Sequence, residues 1–183
     1  MSDTGTEAAV RLAALGAVTI EPGLSEDEFA HVEQMLGFEF ADDHRAFLAA
    51  GLPVGAAWPD WRSDGRKTLQ KRMQLPVDGI LFAAEWTDFW PAAWGQRPAR
   101  MKDALRTANY QLARVPRLVP VFSHHYLPAG RGRFGHPVLS VVQTDVVTCG
   151  GDLADYVAGE FGPDGNRPAA AVSTVEFWST LVL

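Results

Sequence analysis

Cysteine occurs once, at Cys149. An intramolecular disulfide is therefore excluded, and so is any zinc or iron–sulfur centre built on several thiolates. No apolar run approaches the ~18 residues that a membrane-spanning helix needs. The opening MSDTGTEAAV has no basic stretch followed by an apolar one, so no secretory signal is expected and the reading is cytoplasmic. Internal repeats and low-complexity tracts are missing. HExxH and paired-cysteine metal spacings are missing as well. What is present is ordinary for a globular chain: 183 residues, 47% hydrophobic and 21% charged. That length fits one domain and is large enough to fold on apolar burial alone.

Charge is unevenly distributed. Residues 1–43 carry ten acids and one base, residues 62–133 thirteen bases and five acids, and residues 134–183 six acids and one base. An acidic pole and a basic middle either face each other or face different partners. The basic segments 62–72 and 98–115 raise the question of a phosphate-binding stripe. However, Arg100, Lys102, Arg106 and Arg114 do not share one helical face, and the whole chain has a net charge of −6. Nucleic acid is not expected as a partner.

Ser25 and Glu28 have capping-box spacing, with Leu24 and Phe29 placed as a hydrophobic staple, which predicts a helix over 25–36. Asp42 or Asp43 is expected to cap a short helix ending at Gly51, and an earlier helix is expected over about 6–15. Residues 52–65 read as a loop. The segment 62–74 reads as a basic helix, and the apolar run 79–83 as either a strand or a helix start. Met101, Leu105, Ala108, Leu112 and Val115 form a helical stripe ended by Pro116. Strands are expected at 118–122, on a sheet edge because of Pro120, at 138–142 and at 146–148. The segment 127–137 reads as a loop with Gly130 to Arg133 as its flexible tip, and Asp152 as the cap of a helix. Residues 162–171 are expected to be exposed, and Ser173 with Glu176 predicts a capping box for a last helix. These elements give a single α+β domain, and the lack of helical crossovers over 118–148 argues against a doubly wound parallel sheet.

The ordered segments LSEDEFAHVEQMLGFEFADDHRAFL, GLPVG with WPDW, PVDGILF with FWPAAWGQRP, PRLVPVFSHHYLPAG and HPVLSVVQTDVVTCGGDLADYVAGEF resemble the SUKH superfamily. That superfamily holds fungal cell-wall-assembly regulators and bacterial immunity proteins. The resemblance covers residues 24–161, leaving 1–23 as an N-terminal helical extension and 162–183 as a loop and C-terminal helix packed on the same domain. It implies a SUKH-like α+β fold, with a central, largely antiparallel sheet flanked by helices, and a non-enzymatic protein-binding role. The implied partner is a protein, with a toxin domain as the immunity-type case.

Five of the six tryptophans lie between residues 58 and 94. Rings of this kind either fill a core or anchor an interface. Trp58 and Trp61, on a proline-containing loop, are expected to be exposed. The candidate contact residues are Trp58, Asp60, Trp61, Asp88, Trp90, His124, Tyr126 and Asp145. His124 and His125 should point to opposite faces of a strand, and one of them is expected to pair with Asp145. Cys149 reads as a small buried hydrophobe. No catalytic residue, metal or cofactor is assigned. Two alternatives remain open: a regulatory scaffold without a toxin, and a small hydrolase using Cys149 or a histidine-bound metal.

Overall fold

A computed structural model describes residues 4–163 and 175–182. Six α-helices run Thr4–Leu15 (α1), Glu26–Leu36 (α2), Asp42–Ala50 (α3), Arg66–Trp86 (α4), Met101–Leu112 (α5) and Leu153–Phe161 (α6). Six strands run Thr19–Glu21 (β1), Leu52–Val54 (β2), Leu118–Phe122 (β3), His125–Pro128 (β4), Val138–Val142 (β5) and Asp145–Gly150 (β6). Single 3-10 turns cover Ala92–Trp94 and Trp178–Leu181. The fold is a mixed α+β domain with two antiparallel sheets, a small β1–β2 pair and a meander in the order β3-β4-β5-β6. Pro120 sits on the edge strand β3, where its missing amide costs the ladder least. Among the described residues, no helix is long and apolar enough to cross a membrane.

The four-stranded sheet divides two cores. Side chains alternate along each strand. Val119, Val121, Leu127, Val138 and Cys149 enter one core together with α1, α2, α3 and α6. Leu118, Tyr126, Leu139, Val141 and Val146 enter the other, with Ile80 of α4, Ala108 and Leu112 of α5, Trp94 and Trp178. The first helix is built into this scheme, since Ala8 and Leu12 are fully buried. The α2 capping box is complete: Ser25 Oγ accepts from the Glu28 amide, and the Glu28 carboxylate accepts from the Ser25 amide.

Several elements differ from the sequence expectation. Helix α4 is one helix of 21 residues that takes in residues 66–74 of the basic segment and the run 79–83, continuing through Pro76, while Arg62 to Gly65 precede it as a turn. An interior proline costs about 3 kcal/mol. Burial of Leu69, Met73, Ile80 and Pro76 itself outweighs it, at roughly 1.5–3 kcal/mol for each large apolar side chain. The expected loop 52–65 begins with β2, paired to β1. Helix α3 has Ala41 at its N-cap with no side-chain cap. Its two aspartates instead hold the β4–β5 connection: Asp42 accepts from the Gly132 amide and Asp43 from the Gly135 amide, both at 2.9 Å. The Asp42 amide donates to the Arg133 carbonyl, the Gly130 amide to the Glu39 carbonyl, and Arg131 reaches Glu33 and Glu39. The segment read as a flexible tip is thus pinned to α2 and α3. Ser173 lies outside the described residues. The C-terminal element that is described is the 3-10 turn Trp178–Leu181.

Candidate functional site

The acidic pole meets the basic middle at two arginines, Arg62 and Arg131. Arg62 donates to Glu28 at 2.6 Å and to Glu21 at 3.3 Å, and also caps the Pro22 and Gly23 carbonyls. This holds the Glu28 carboxyl at about 2, the Arg62 hydrogen bond being the largest cause. Arg45 bridges Glu26 and Glu33 and lies 4.1 Å over the Phe29 ring. Much of the N-terminal acidity is therefore compensated within the fold.

The proline-containing loop does not present its tryptophans. Trp58 and Trp61 are 6% and 2% exposed. The loop folds back over the core, where Ser123 donates its amide to the Ala57 carbonyl and Arg72 reaches the Ala56 carbonyl. Trp58 stacks on Phe47 and Phe161, and Trp61 meets Phe40 edge-on at 5.0 Å. Tyr126 is buried too, which pushes its hydroxyl up to about 12. These three positions are corrected from contact residues to core. Asp60 stays beside them as a turn former, accepting from the Arg62 and Ser63 amides.

The histidine pair also differs from expectation. His124 occupies the β3–β4 turn, exposed, with Nδ1 3.1 Å from Ser123 Oγ. Because the chain turns there, the two rings do not take opposite strand faces, and their centroids lie 4.6 Å apart. His125 is buried and its Nδ1 bonds the Tyr156 hydroxyl at 2.7 Å. Asp145 is exposed at the start of β6, opposite Val142. The same end of the sheet carries His124 and Asp145, since the Val141 amide donates to the His124 carbonyl.

Asp88 and Trp90 are brought together in the segment that follows α4. Arg97 organises it, donating to Asp88 at 2.8 Å and to the Ala84 carbonyl at 2.7 Å, so that a cation closes the negative end of the helix. Its guanidinium lies 5.9 Å from the Trp90 ring, whose indole donates to the Gly95 carbonyl. The Asp88 side chain is 95% exposed.

Beside this clamp lies a feature the sequence reading missed. The outer face of α4 exposes Leu75, Phe82 and Trp86, at 50%, 46% and 68%. Spacings of seven and four put all three on one stripe, turned about 80–160° round the helix from the buried Leu69, Met73, Ile80 and Ala83. The Phe82 and Trp86 rings are 6.4 Å apart. Asp78 and Glu85 flank the stripe and are exposed. The β5–β6 turn abuts the same helix, because a Cβ on Gly79 would stand 2.8 Å from Gln143 Cα. The signal was present in the spacing 75-82-86 and becomes readable only once the helix is carried through Pro76.

An open cleft of about 500 Å³ lies between α4 and α5, lined by Met73, Val77, Asn109, Leu112, Arg117 and Trp178 among others. Its polar groups are already engaged, Arg117 with the Leu36 and Gly37 carbonyls and Asn109 with the Leu105 carbonyl. Cys149 is 5% exposed, with Sγ directed to the Val147 carbonyl. Among the described residues, no group of three or more His, Cys, Asp or Glu side chains is arranged to hold a metal ion. Compared with known proteins, the chain matches no family model, no curated protein and no solved structure.

Proposed function

We propose that this chain is a non-enzymatic protein-binding module working in the cytoplasm, with the outer face of α4 as its contact surface. One observation carries the reading: three large apolar side chains stand exposed on a helix whose opposite face is locked into the core. Large rings on a rigid element lose little freedom on binding and serve well as interface anchors. The SUKH resemblance supports the same role and supplies the partner class. The immunity-type partner is a toxin domain, and the mechanism is stoichiometric occlusion. The fungal-type alternative is a regulatory scaffold. A hydrolase built on Cys149 has less support, because a nucleophile needs access and this thiol is buried.

The test is capture from the cell of origin with the wild type and with Trp86→Asp. The wild type should retain a protein in near-equal amount that the variant loses. Purified, that protein should bind with clear heat release in titration calorimetry. Equal capture by both chains removes α4 as the contact surface. Substrate turnover that disappears with a point change at Cys149 removes the module reading altogether.

A further inference from the structure

The outer face of α4 is divided by charge about its centre. Lys67 and Lys71 stand eight and four residues before Leu75, and Asp78 and Glu85 stand three and ten residues after it. At 100° per residue all four lie on the same flank of the exposed stripe. All four are exposed, and none forms an ion pair among the described residues. A basic half followed by an acidic half on one flank is complementary to itself. Two such helices laid antiparallel bring like flanks together and opposite halves into register.

We propose that this face closes on a second copy of the chain, α4 against α4, about a two-fold axis passing near Leu75. The inference rests on the reading of α4 as the contact surface and names what covers it. Leu75 meets the partner's Leu75 at the axis. On either side Asp78 comes opposite the partner's Lys71, and Glu85 opposite the partner's Lys67. Phe82 lies over the partner's Thr68 and the apolar stem of the partner's Lys67, as long basic side chains allow. Each contact occurs twice, as a two-fold interface requires. A contact of one helix pair is small by the standards of permanent dimers, so association is reversible and depends on concentration. Capture of another protein on this face then competes with self-association, so the dimer regulates access to the site.

The test is sedimentation equilibrium of the full chain from about 1 µM to about 1 mM, the range over which weak dimers dissociate. A monomer–dimer equilibrium is expected. Lys71→Glu alone, and Asp78→Lys alone, each place like charges at two symmetric positions and should raise Kd about ten-fold. The double variant Lys71→Glu/Asp78→Lys restores opposite charges and should return Kd to within about three-fold of wild type. Both positions are exposed, and an unchanged circular dichroism melt confirms that each variant is folded. A wild type that stays monomeric throughout overturns the proposal, and so does a double variant as weak as the singles. The two readings fail separately. If Trp86→Asp loses a captured protein while the wild type is monomeric, the contact surface stands and the second copy falls. If the dimer forms with charge-swap rescue while Trp86→Asp captures as well as wild type, the second copy stands and the heterologous contact falls.

Discussion

Replacing His44 by leucine offers a direct test of how the N-terminal core is built. The His44 side chain is 1% exposed on α3, and neither ring nitrogen has a hydrogen-bond partner. Phe40 and Trp61 surround it edge-on, with centroids 5.2 and 6.5 Å away. An imidazolium in that place would lose its water and gain nothing, so burial lowers the pKa from 6.5 to about 3. The unfolded chain takes up a proton near 6.5 and the folded chain does not until about 3. Stability is therefore complete above pH 6.5 and falls on acidification, by about 1.4 kcal/mol per pH unit across that window. Between pH 7 and pH 5 the loss is about 2 kcal/mol, a large part of a typical 5–15 kcal/mol. Leucine has no proton to take up and leaves no ring nitrogen unbonded. Urea denaturation of both chains, followed by tryptophan fluorescence, reads the difference. At pH 7 His44→Leu should be as stable as wild type or more so, and at pH 5 its advantage should grow by about 2 kcal/mol. Other titrating groups, including the neighbouring Asp43, whose pKa burial raises, are common to both chains and largely cancel. An advantage of the same size at both pH values would refute the account of His44 as a dry, unpaired ring.

Three further outcomes are expected. Glu28→Gln removes the carboxylate that Arg62 holds at about 2. The variant should melt lower at pH 7, and the deficit should vanish as pH falls through the window from 4.5 towards 2, because a depressed carboxyl contributes stability only while it is ionised. A deficit that persists at pH 2 assigns the effect to something other than the ion pair. Gly79→Ala gains up to about 1 kcal/mol of helix propensity, yet its Cβ would stand 2.8 Å from Gln143 Cα. Overpacking against backbone costs about 1–3 kcal/mol, so the denaturant midpoint should fall, and a rise would show that the β5–β6 turn yields freely. Trp61→Ala should cost about 3–5 kcal/mol and collapse the thermal melt. A melt left unchanged would return Trp61 to the surface where the sequence reading had it.

Much of the fold was legible where local chemistry acts alone. The Ser25–Glu28 box and the Asp152 cap depend only on residues within a turn or two, and each is present as read. The α5 stripe holds in part: Ala108 and Leu112 are buried, but Met101 is exposed and the helix stops at Leu112, ahead of Val115. Pro120 on an edge strand follows from one missing amide. The failures arise where distant segments decide. Asp42 and Asp43 carry the chemistry of a helix cap, but amides about ninety residues further on are better placed to use them. Trp58 and Trp61 sit in a sequence that reads as a surface loop, and only the return of β3 and the packing of Phe40 and Phe47 bury them. Pro76 hid the continuity of α4, and with it the exposed stripe. Of the candidate contact residues, Asp60, Asp88, Trp90, His124 and Asp145 remain at least partly accessible, while Trp58, Trp61 and Tyr126 are core.

Adjacent residues of β5 serve different cores, Val138 one and Leu139 the other. Inserting a single residue ahead of this strand would send each side chain to the wrong layer, so both halves of the protein would fail at once. Substitutions that respect the alternation behave in the opposite way. A cavity opened at Phe47 and another at Leu139 share no neighbours across the strands, and their costs should simply add. The domain therefore tolerates sequence drift within either layer independently, while the length of each strand is held fixed.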